Sequence, residues 1–309
     1  MPTLRQLEYL VSVADFQHFG RAADACHVSQ PTLSQQLRAL EDRLGTTLIE
    51  RRASGAELTP IGREIAARAR RLIVEVQDIR DLARRAGERL VGTLRFGVTP
   101  TLGPYLMPPI VAALHSEQPD LRLHLREGIP EEQALALSRG TLDMLLGPLP
   151  IDGGNIEVQP LFRERLFIVA PPDHPLAKRA KLAVRDLEGA QVLSLDRRHH
   201  LHRQVAAICA QLGMVLLRDY EGTSLDSVHQ MAASGVGLAV LPELYIRSGV
   251  GGLAGVKLLE PKGWNFTRSI AAAWRSGAAY SDVYRTIAER IRIDARPLLS
   301  EDAASAAGR

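Results

Sequence analysis

The chain has 309 residues, of which 46% are hydrophobic and 24% are charged, and its formal net charge is +3. This length exceeds what one hydrophobic core usually supports, and the composition is that of globular protein, so we predict two or three folded domains. The sequence has no apolar run of about 18 residues and no N-terminal secretory signal, which predicts a cytoplasmic protein without a membrane partner. Two widely separated cysteines, Cys26 and Cys209, predict no disulfide framework.

The first 90 residues contain no lysine and carry fourteen arginines against twelve aspartates and glutamates. Arginine is the side chain best shaped for bidentate contact with phosphate and guanine. The excess of positive charge is nevertheless small. Composition alone therefore favours an ordinary solvated arginine surface over a nucleic-acid site.

Three helices are predicted in the first 45 residues, over residues 3–16, 19–26 and 29–44, from apolar side chains at helical spacing. The Ser29 hydroxyl can cap the third helix, and Pro31 falls in its first turn, where no backbone N–H is needed. Two helices, a tight turn and a capped third helix form a helix-turn-helix, whose last helix lies in the major groove of DNA.

The outward face of the third helix carries side chains suited to reading base edges. Glutamine pairs with adenine, arginine pairs with guanine, and threonine contacts the thymine methyl group. Any one of these residues would also suit the solvent-facing side of an ordinary helical bundle. The candidates from chemistry and spacing are Gln30, Thr32, Ser34, Gln35 and Arg38.

A hairpin, or wing, is predicted after the third helix. Residues 46–52 and 56–59 read as two short strands around residues 53–55. Arg51 and Arg52 lie near its tip, where they suit contact with phosphates or the minor groove.

The run AADACHVSQPTLSQQLRALEDRLGTTLIERRASGAELTPIG resembles the DNA-binding region of LysR-type transcriptional regulators. Helix, turn, recognition helix, wing and the following Thr-x-x-Gly occur in the same order. The resemblance implies double-stranded promoter DNA as a partner, assembly into a homotetramer built as a dimer of dimers, and RNA polymerase as a further partner. It implies that DNA is contacted by Gln30, Pro31, Thr32, Ser34, Gln35, Arg38, Arg51 and Arg52.

A long helix is predicted from Pro60 to about residue 87, with Thr59 as its cap. Apolar side chains recur along it with alternating gaps of four and three residues, which predicts a seam that pairs with a second copy of the helix. The alternative is a helix packed on its own domain. The seam consists of Ile65, Ala69, Leu72, Val76, Ile79, Ala83, Ala86 and Leu90.

From residue 93 onward, predicted strands alternate with predicted helices, and the pattern restarts after residue 163. Strands are predicted at 93–98, 121–127, 142–146, 166–170, 192–195, 216–221, 238–241 and 269–274. Helices are predicted at 102–115, 131–139, 202–212, 224–234 and 281–291. This alternation predicts parallel α/β sheets in a two-lobed, hinged effector domain like that of periplasmic binding proteins.

The predicted fold class is therefore α/β in the C-terminal half, preceded by an all-α winged helix-turn-helix and a linker helix. The predicted boundaries are 1–59 for DNA binding and 60–91 for the dimerisation helix. They are 92–163 with 268–300 for the first lobe, 164–267 for the second, and 301–309 for a disordered tail.

Hydroxyl residues open helices at the carboxyl ends of two predicted strands. Thr99 and Thr101 do so in the first lobe, and Thr223 and Ser224 in the second. Free N–H groups and the helix dipole at such positions favour an anion, although plain helix capping explains each residue equally well. We interpret the four as candidate effector contacts across one cleft.

The segments FGVTPTLGPYLMPPIVAAL, DRRHHLHRQVAAIC and EGTSLDSVHQMAASGVGLAVLP resemble the peroxide-sensing OxyR branch of this family. The resemblance implies a peroxidatic cysteine that oxidises and bonds a second cysteine downstream. His200 occupies the position of the first, Cys209 matches the second, and Pro130 replaces a hydroxyl residue. Because imidazole cannot form a sulfenic acid, we predict no intramolecular thiol switch and keep Cys209 as a redox candidate.

We therefore hypothesise that the effector domain senses a small, anionic molecule through Thr101, His200 and either Thr223 or Ser224. His199 and His202 add tunable positive charge. The alternative is a peroxide or oxidative-stress regulator that retains only Cys209. The histidine spacing matches no strong zinc pattern, and no catalytic motif is present, so we expect no metal, no cofactor and no enzymatic activity.

Overall fold

A computed structural model describes residues 1–52, 55–84, 92–248 and 252–299 of the chain. These residues divide into two compact units, Met1–Glu88 and Arg89–Arg309. The predicted tail at 301–309, and Ala86 and Leu90 of the predicted seam, lie outside the described residues.

The N-terminal unit contains the predicted helix-turn-helix followed by a two-stranded wing and the long helix. Its elements are α1 (Leu4–Phe16), α2 (Phe19–Ala25), α3 (Gln30–Leu44), β1 (Ile49–Arg52), β2 (Gly55–Leu58) and α4 (Pro60–Arg84). Helix α1 begins with a capping box between Thr3 and Gln6. The buried faces of the helices, with Leu10, Leu33 and Leu40 fully enclosed, form a separate small core.

The Thr-x-x-Gly motif joins the wing to α4. The Thr59 hydroxyl accepts a hydrogen bond from the Gly62 N–H at 3.0 Å and donates one to the Thr47 carbonyl at 2.9 Å. A Cβ atom at Gly62 would lie 2.1 Å from the Leu48 carbonyl oxygen. Only glycine therefore fits where α4 passes the residues preceding the wing.

The C-terminal unit alternates strands and helices. Its strands are β3 (Gly92–Val98), β4 (Leu121–Glu127), β5 (Met144–Pro148), β6 (Ile156–Ala170), β7 (Gln191–Leu195), β8 (Val215–Gly222), β9 (Leu238–Pro242), β10 (Lys257–Leu259) and β11 (Thr267–Arg275). Its helices are α5 (Gly103–Glu117), α6 (Pro130–Ser138), α7 (His200–Leu212), α8 (Leu225–Ala233), α9 (Glu243–Arg247) and α10 (Ser281–Ala295).

The strands lie in the order β4-β3-β5-β11-β6-β9-β7-β8, with β10 paired to β6. Pairs around β3 and around β7 are parallel, as predicted, whereas β6 and β11 run antiparallel to their neighbours. The sheet is therefore mixed. Strand β6 pairs with β11 up to Arg165 and with β9 from Leu166 onward, so its partners change near the predicted lobe boundary. The division into lobes remains a prediction.

The prediction for β6 was wrong at its beginning, because the strand starts at Ile156 and not at residue 166. Pro160 lies inside it, and proline cannot donate a ladder hydrogen bond. The pairing of β6 with β11 shifts register between Ile270 and Ala271, opposite this proline, so a bulge accommodates it. The five-residue α9 and three-residue β10 were also not predicted, since such short elements carry little periodic signal.

In the described parts of the chain, no helix is both long enough and apolar enough to cross a bilayer.

Candidate DNA-binding surface and effector cavity

Helix α3 presents the predicted base-reading residues on its exposed side. Leu33, Leu37 and Leu40 are buried on the opposite side, where they anchor the helix to the core. Ser34 is half-buried. The exposed residues are Gln30, Pro31, Thr32, Gln35 and Arg38. DNA contact by these residues remains a prediction.

The N-terminus of α3 is capped as predicted. Ser29 Oγ accepts a hydrogen bond from the Thr32 N–H at 3.3 Å and lies 2.8 Å from Thr32 Oγ1. The cap satisfies a backbone donor and also holds the Thr32 hydroxyl. The contact with Ser29 therefore fixes the orientation of the Thr32 side chain before any contact with DNA.

Replacing Ser29 with alanine is expected to lower the free energy of unfolding by about 1 kcal/mol, because a backbone donor of α3 loses its acceptor. Urea unfolding followed by circular dichroism measures this change. Ser29→Asn, which keeps a capping oxygen, should stay near wild type. Ser34→Ala in the same helix serves as the control, and a loss there as large as in Ser29→Ala would contradict the capping role.

The wing packs against the turn between α1 and α2. The Gln17 carbonyl accepts a hydrogen bond from the Ala56 N–H at 3.0 Å. Gly55 has φ of +144°, and a Cβ atom there would lie 2.6 Å from the same carbonyl oxygen. Arg51 pairs with Ala56 and Arg52 with Gly55 across the hairpin. The side chains of the two arginines lie outside what the structure describes, so their contacts remain predictions.

The predicted seam of α4 has two different parts. Ala69 is buried, and Ile65 packs against the core of the N-terminal unit. This part of the seam fits the alternative interpretation, in which α4 packs on its own domain. Val76 is half-buried, whereas Leu72 and Ile79 are 53% and 63% exposed. Exposed leucine and isoleucine on one helix are what a second copy would cover. Pairing through this seam remains a prediction.

A cavity of about 490 Å³ lies in the C-terminal unit between α6, the loop after β5 and the start of α7. Its polar lining includes Thr99, Glu131, His200 and Arg203. Its apolar lining is Pro130, Ala134, Leu135, Leu145, Pro148, Pro150 and Ile151. The structure thus brings together two of the predicted effector contacts, Thr99 and His200.

His200 is the first residue of α7, two residues earlier than the predicted start of that helix. Among the described residues, its buried Nδ1 has no hydrogen-bond partner. Burial lowers the pKa of His200, and the positive charges of Arg203 and Arg268 lower it further. The imidazole is therefore neutral near pH 7 and offers one donor and one acceptor.

Thr101 lies away from the cavity lining and is held by Arg268, a residue that the sequence analysis missed. Arg268 Nη1 donates to Thr101 Oγ1 at 2.8 Å, and Nη2 donates to the Thr101 carbonyl at 3.1 Å. Arg268 Nε donates to Glu164 Oε1 at 2.7 Å, and both side chains are fully buried. The available signal was an arginine next to the apolar run of the strand TRSIAAAWR, because a buried charge needs a partner.

Thr223 and Ser224 are not among the residues that line the described cavity. Ser224 caps α8 by accepting from the Ser227 N–H at 3.2 Å, while Thr223 is exposed. Their role as effector contacts remains a prediction. His202 donates from Nδ1 to the Leu195 carbonyl at 2.7 Å, so it has a structural partner.

Cys209 is buried in α7, and burial raises the pKa of its thiol to about 11. Because the thiolate is the reactive form, this cysteine is a poor nucleophile at neutral pH. It lies nine residues after His200 on the same helix, roughly 13 Å along the axis. Within the described residues, no group of histidine, cysteine and carboxylate side chains could hold a metal ion.

Comparison with known proteins identifies the family to which this chain belongs. Residues 4–63 match the bacterial regulatory helix-turn-helix protein of the lysR family, and residues 87–295 match the LysR substrate binding domain. The chain belongs to the LysR family of transcription regulators, and within that family it is similar to OxyR proteins. By these descriptions, the first match is a regulatory helix-turn-helix domain and the second is a substrate-binding domain.

Two curated relatives span nearly the whole chain. The hydrogen peroxide-inducible genes activator of Dickeya chrysanthemi is 39% identical over 295 residues, which cover 94% of each chain. The DNA-binding transcriptional dual regulator OxyR of Escherichia coli is 37% identical over 294 residues, again covering 94% of each.

Two solved structures have a similar fold. A cysteine-to-aspartate variant of full-length OxyR from Pseudomonas aeruginosa matches with a TM-score of 0.74 and 33% identity, covering 95% of this chain and 98% of that one. A cysteine-to-serine variant of OxyR from Corynebacterium glutamicum, with hydrogen peroxide bound, matches with a TM-score of 0.63 and 30% identity over 96% of this chain and 95% of that one.

Proposed function

We propose that this protein is a regulator, and not an enzyme, that controls genes of the hydrogen peroxide or oxidative-stress response from promoter DNA. The observation that carries the proposal is similarity to OxyR proteins over both domains. The exposed polar face of α3 provides the base-reading chemistry. The exposed Leu72 and Ile79 of α4 suit a homodimer, which would present two recognition helices to two half-sites. Because its ligand is promoter DNA, we expect it to act in the cytoplasm.

The route from oxidant to DNA is proposed to differ from a disulfide switch within one chain. His200 has no sulfur to oxidise, and the Cys209 thiol is buried with a raised pKa. The C. glutamicum OxyR structure with bound hydrogen peroxide is of a cysteine-to-serine variant, which supports reversible occupation of a pocket as one route. In this chain the corresponding route is the cavity at His200.

A small-molecule effector other than peroxide is the second candidate for the signal. The observation that favours it is the size of the cavity, about 490 Å³, which suits an organic ligand of several heavy atoms. Peroxide would fill only a small part of it. Thr99 and His200 are among the polar residues that line it.

Footprinting on the DNA upstream of its own gene tests the proposal. We expect protection of one site at 50 mM and 200 mM salt, strongly weakened at the higher salt, with no protection of random duplex. Peroxide should change the protected region in wild type and equally in Cys209→Ser. Loss of the response in Cys209→Ser would show that this thiol is the sensor.

An unchanged footprint with peroxide would favour the second candidate for the signal. Equal binding to the upstream DNA and random duplex would contradict the proposed function as a whole.

A further inference from the structure

We propose that Gln6 is a positioning residue for the recognition helix α3. It fixes the rotation of α3 against α1, so that the base-reading side chains reach DNA in one orientation. Gln6 is 1% exposed and lies behind α3, away from the exposed base-reading side. Its effect, which rests on the DNA binding proposed above, therefore passes through α3 and not through a contact of its own with DNA.

Gln6 lies in the first turn of α1 and bonds both to the chain before that helix and to α3. Its Oε1 accepts from the Thr3 N–H at 3.2 Å and from Arg43 Nη1 at 3.2 Å. Its Nε2 donates to Gln36 Oε1 at 3.1 Å. A guanidinium and a backbone N–H can only donate, so they determine which end of the Gln6 amide is the oxygen. Each end of this one buried amide is therefore bonded to a different residue of α3.

The two bonds to α3 resist a rotation that its apolar contacts allow. Gln36 and Arg43 lie two turns apart on one side of α3, while Leu33, Leu37 and Leu40 hold the helix to the core. Apolar packing has no preferred direction, whereas a hydrogen bond requires a set distance and angle. Side chains lie about 5–6 Å from a helix axis, so a rotation of about 15° moves them by about 1.5 Å. Specific contacts need placement within about 0.5 Å, so such a rotation would weaken base recognition.

The partners of Gln6 lie where water can replace it. Thr3, Gln36 and Arg43 are all exposed, and Arg43 Nη1 keeps a bond of 2.9 Å to the Met1 carbonyl. Replacing Gln6 with methionine, which has a similar length, therefore leaves none of these groups buried without a partner. We expect this change to reduce recognition of the DNA site without a comparable loss of stability, which a merely structural residue would not do.

Gel shifts with the full-length protein measure the ratio of its affinities for the upstream site and for random duplex, at one fixed salt concentration. We expect Gln6→Met to lower this ratio at least tenfold through the upstream site alone, because unchanged net charge leaves the attraction to phosphates unchanged. Gln36→Met, which removes the bond from the α3 side and leaves Thr3 its partner, should lower the ratio too. Gln6→Glu should keep most of the ratio, since the Gln36 amide can turn and donate to the new carboxylate.

A double variant tests whether Gln6 and Gln36 act through each other. Gln6→Met combined with Gln36→Met should lower the ratio no further than the larger single loss, because both changes break the same link. Losses that add would show that Gln36 acts independently of Gln6, by its own contact with DNA, and would contradict the proposal.

Ser12→Ala is the matched control. Ser12 is also a buried polar residue of α1, but its Oγ donates to the Ala22 carbonyl on α2 at 3.1 Å. Its replacement should change the ratio less than twofold, and its midpoint of urea unfolding should be close to that of Gln6→Met.

The proposal is wrong if Gln6→Met keeps the wild-type ratio or weakens binding to both duplexes equally. It is also wrong if the unfolding midpoint of Gln6→Met falls well below that of Ser12→Ala, which would assign Gln6 a structural role. A wild-type protein that does not distinguish the upstream site from random duplex would contradict the proposed function. A wild-type protein that distinguishes them no better than Gln6→Met does would overturn only the positioning role.

Discussion

Replacing Arg268 with methionine is expected to lower the free energy of unfolding by about 3–5 kcal/mol, because Glu164 would keep a buried charge without its partner. Both side chains are fully buried and directly opposed between β11 and β6, with Nε and Oε1 2.7 Å apart. The variant also removes both hydrogen bonds to Thr101. Urea unfolding at pH 7 measures the loss.

The pH dependence of this loss identifies its cause. Burial raises the pKa of Glu164, while Arg268 opposes that rise by favouring the charged carboxylate. Without Arg268, the folded-state pKa of Glu164 rises further above its unfolded value. A raised carboxyl pKa penalises the folded state at high pH and ceases to do so below the unfolded pKa. The destabilisation should therefore be smaller at pH 5 than at pH 7.

Arg163→Met is the matched control, since Arg163 is an exposed arginine on β6, next to Glu164, and bonds Thr267 Oγ1 of β11 at 2.9 Å. It should change stability by less than about 0.5 kcal/mol. The double variant Arg268→Met with Glu164→Leu should recover part of the loss, because no buried charge remains. Equal stability of Arg268→Met and Arg163→Met at pH 7 would show that Glu164 needs no partner.

Replacing Arg38 with alanine is expected to weaken binding to the upstream site about 10- to 100-fold. Arg38 is exposed on α3, and a bidentate arginine–guanine contact contributes about 1–3 kcal/mol of discrimination between bases. Affinity for random duplex should fall much less, because that affinity comes from phosphate contacts spread over the domain. Gel shifts on both duplexes at one fixed salt concentration measure the ratio.

Arg68→Ala removes one positive charge from the same unit and is the control for net charge. Arg68 is an exposed residue of α4 whose partner is Glu64, at 3.1 Å. It should weaken binding to both duplexes slightly and equally. If Arg38→Ala behaves in the same way, Arg38 contributes only to electrostatic attraction and reads no base.

The first three helices of the N-terminal unit could be predicted to within one residue at each end, whereas the first wing strand begins three residues later than predicted. Ser29 and Thr59 cap their helices, and α3 ends at the predicted residue, because these features depend on contacts within a few positions of the chain. Sequence resemblance also placed His200 at the position of the peroxidatic cysteine of the OxyR branch. The structure locates His200 in the lining of a cavity, together with Thr99. The sequence supported Thr223 and Ser224 as effector contacts equally well, because a hydroxyl that caps a helix and a hydroxyl that binds an effector occupy the same kind of position in the sequence.

By itself, the sequence determined the class of protein, the helix-turn-helix, the alternation of strands and helices, and the absence of a sulfur at residue 200. These properties follow from periodicity, capping and side-chain chemistry, which act locally. Only the tertiary structure decided that Arg268 joins Glu164, 104 positions away, to Thr101, and that Glu131 and Arg203 meet across a cavity. Contacts between distant residues depend on sheet order and register, and no local pattern encodes these.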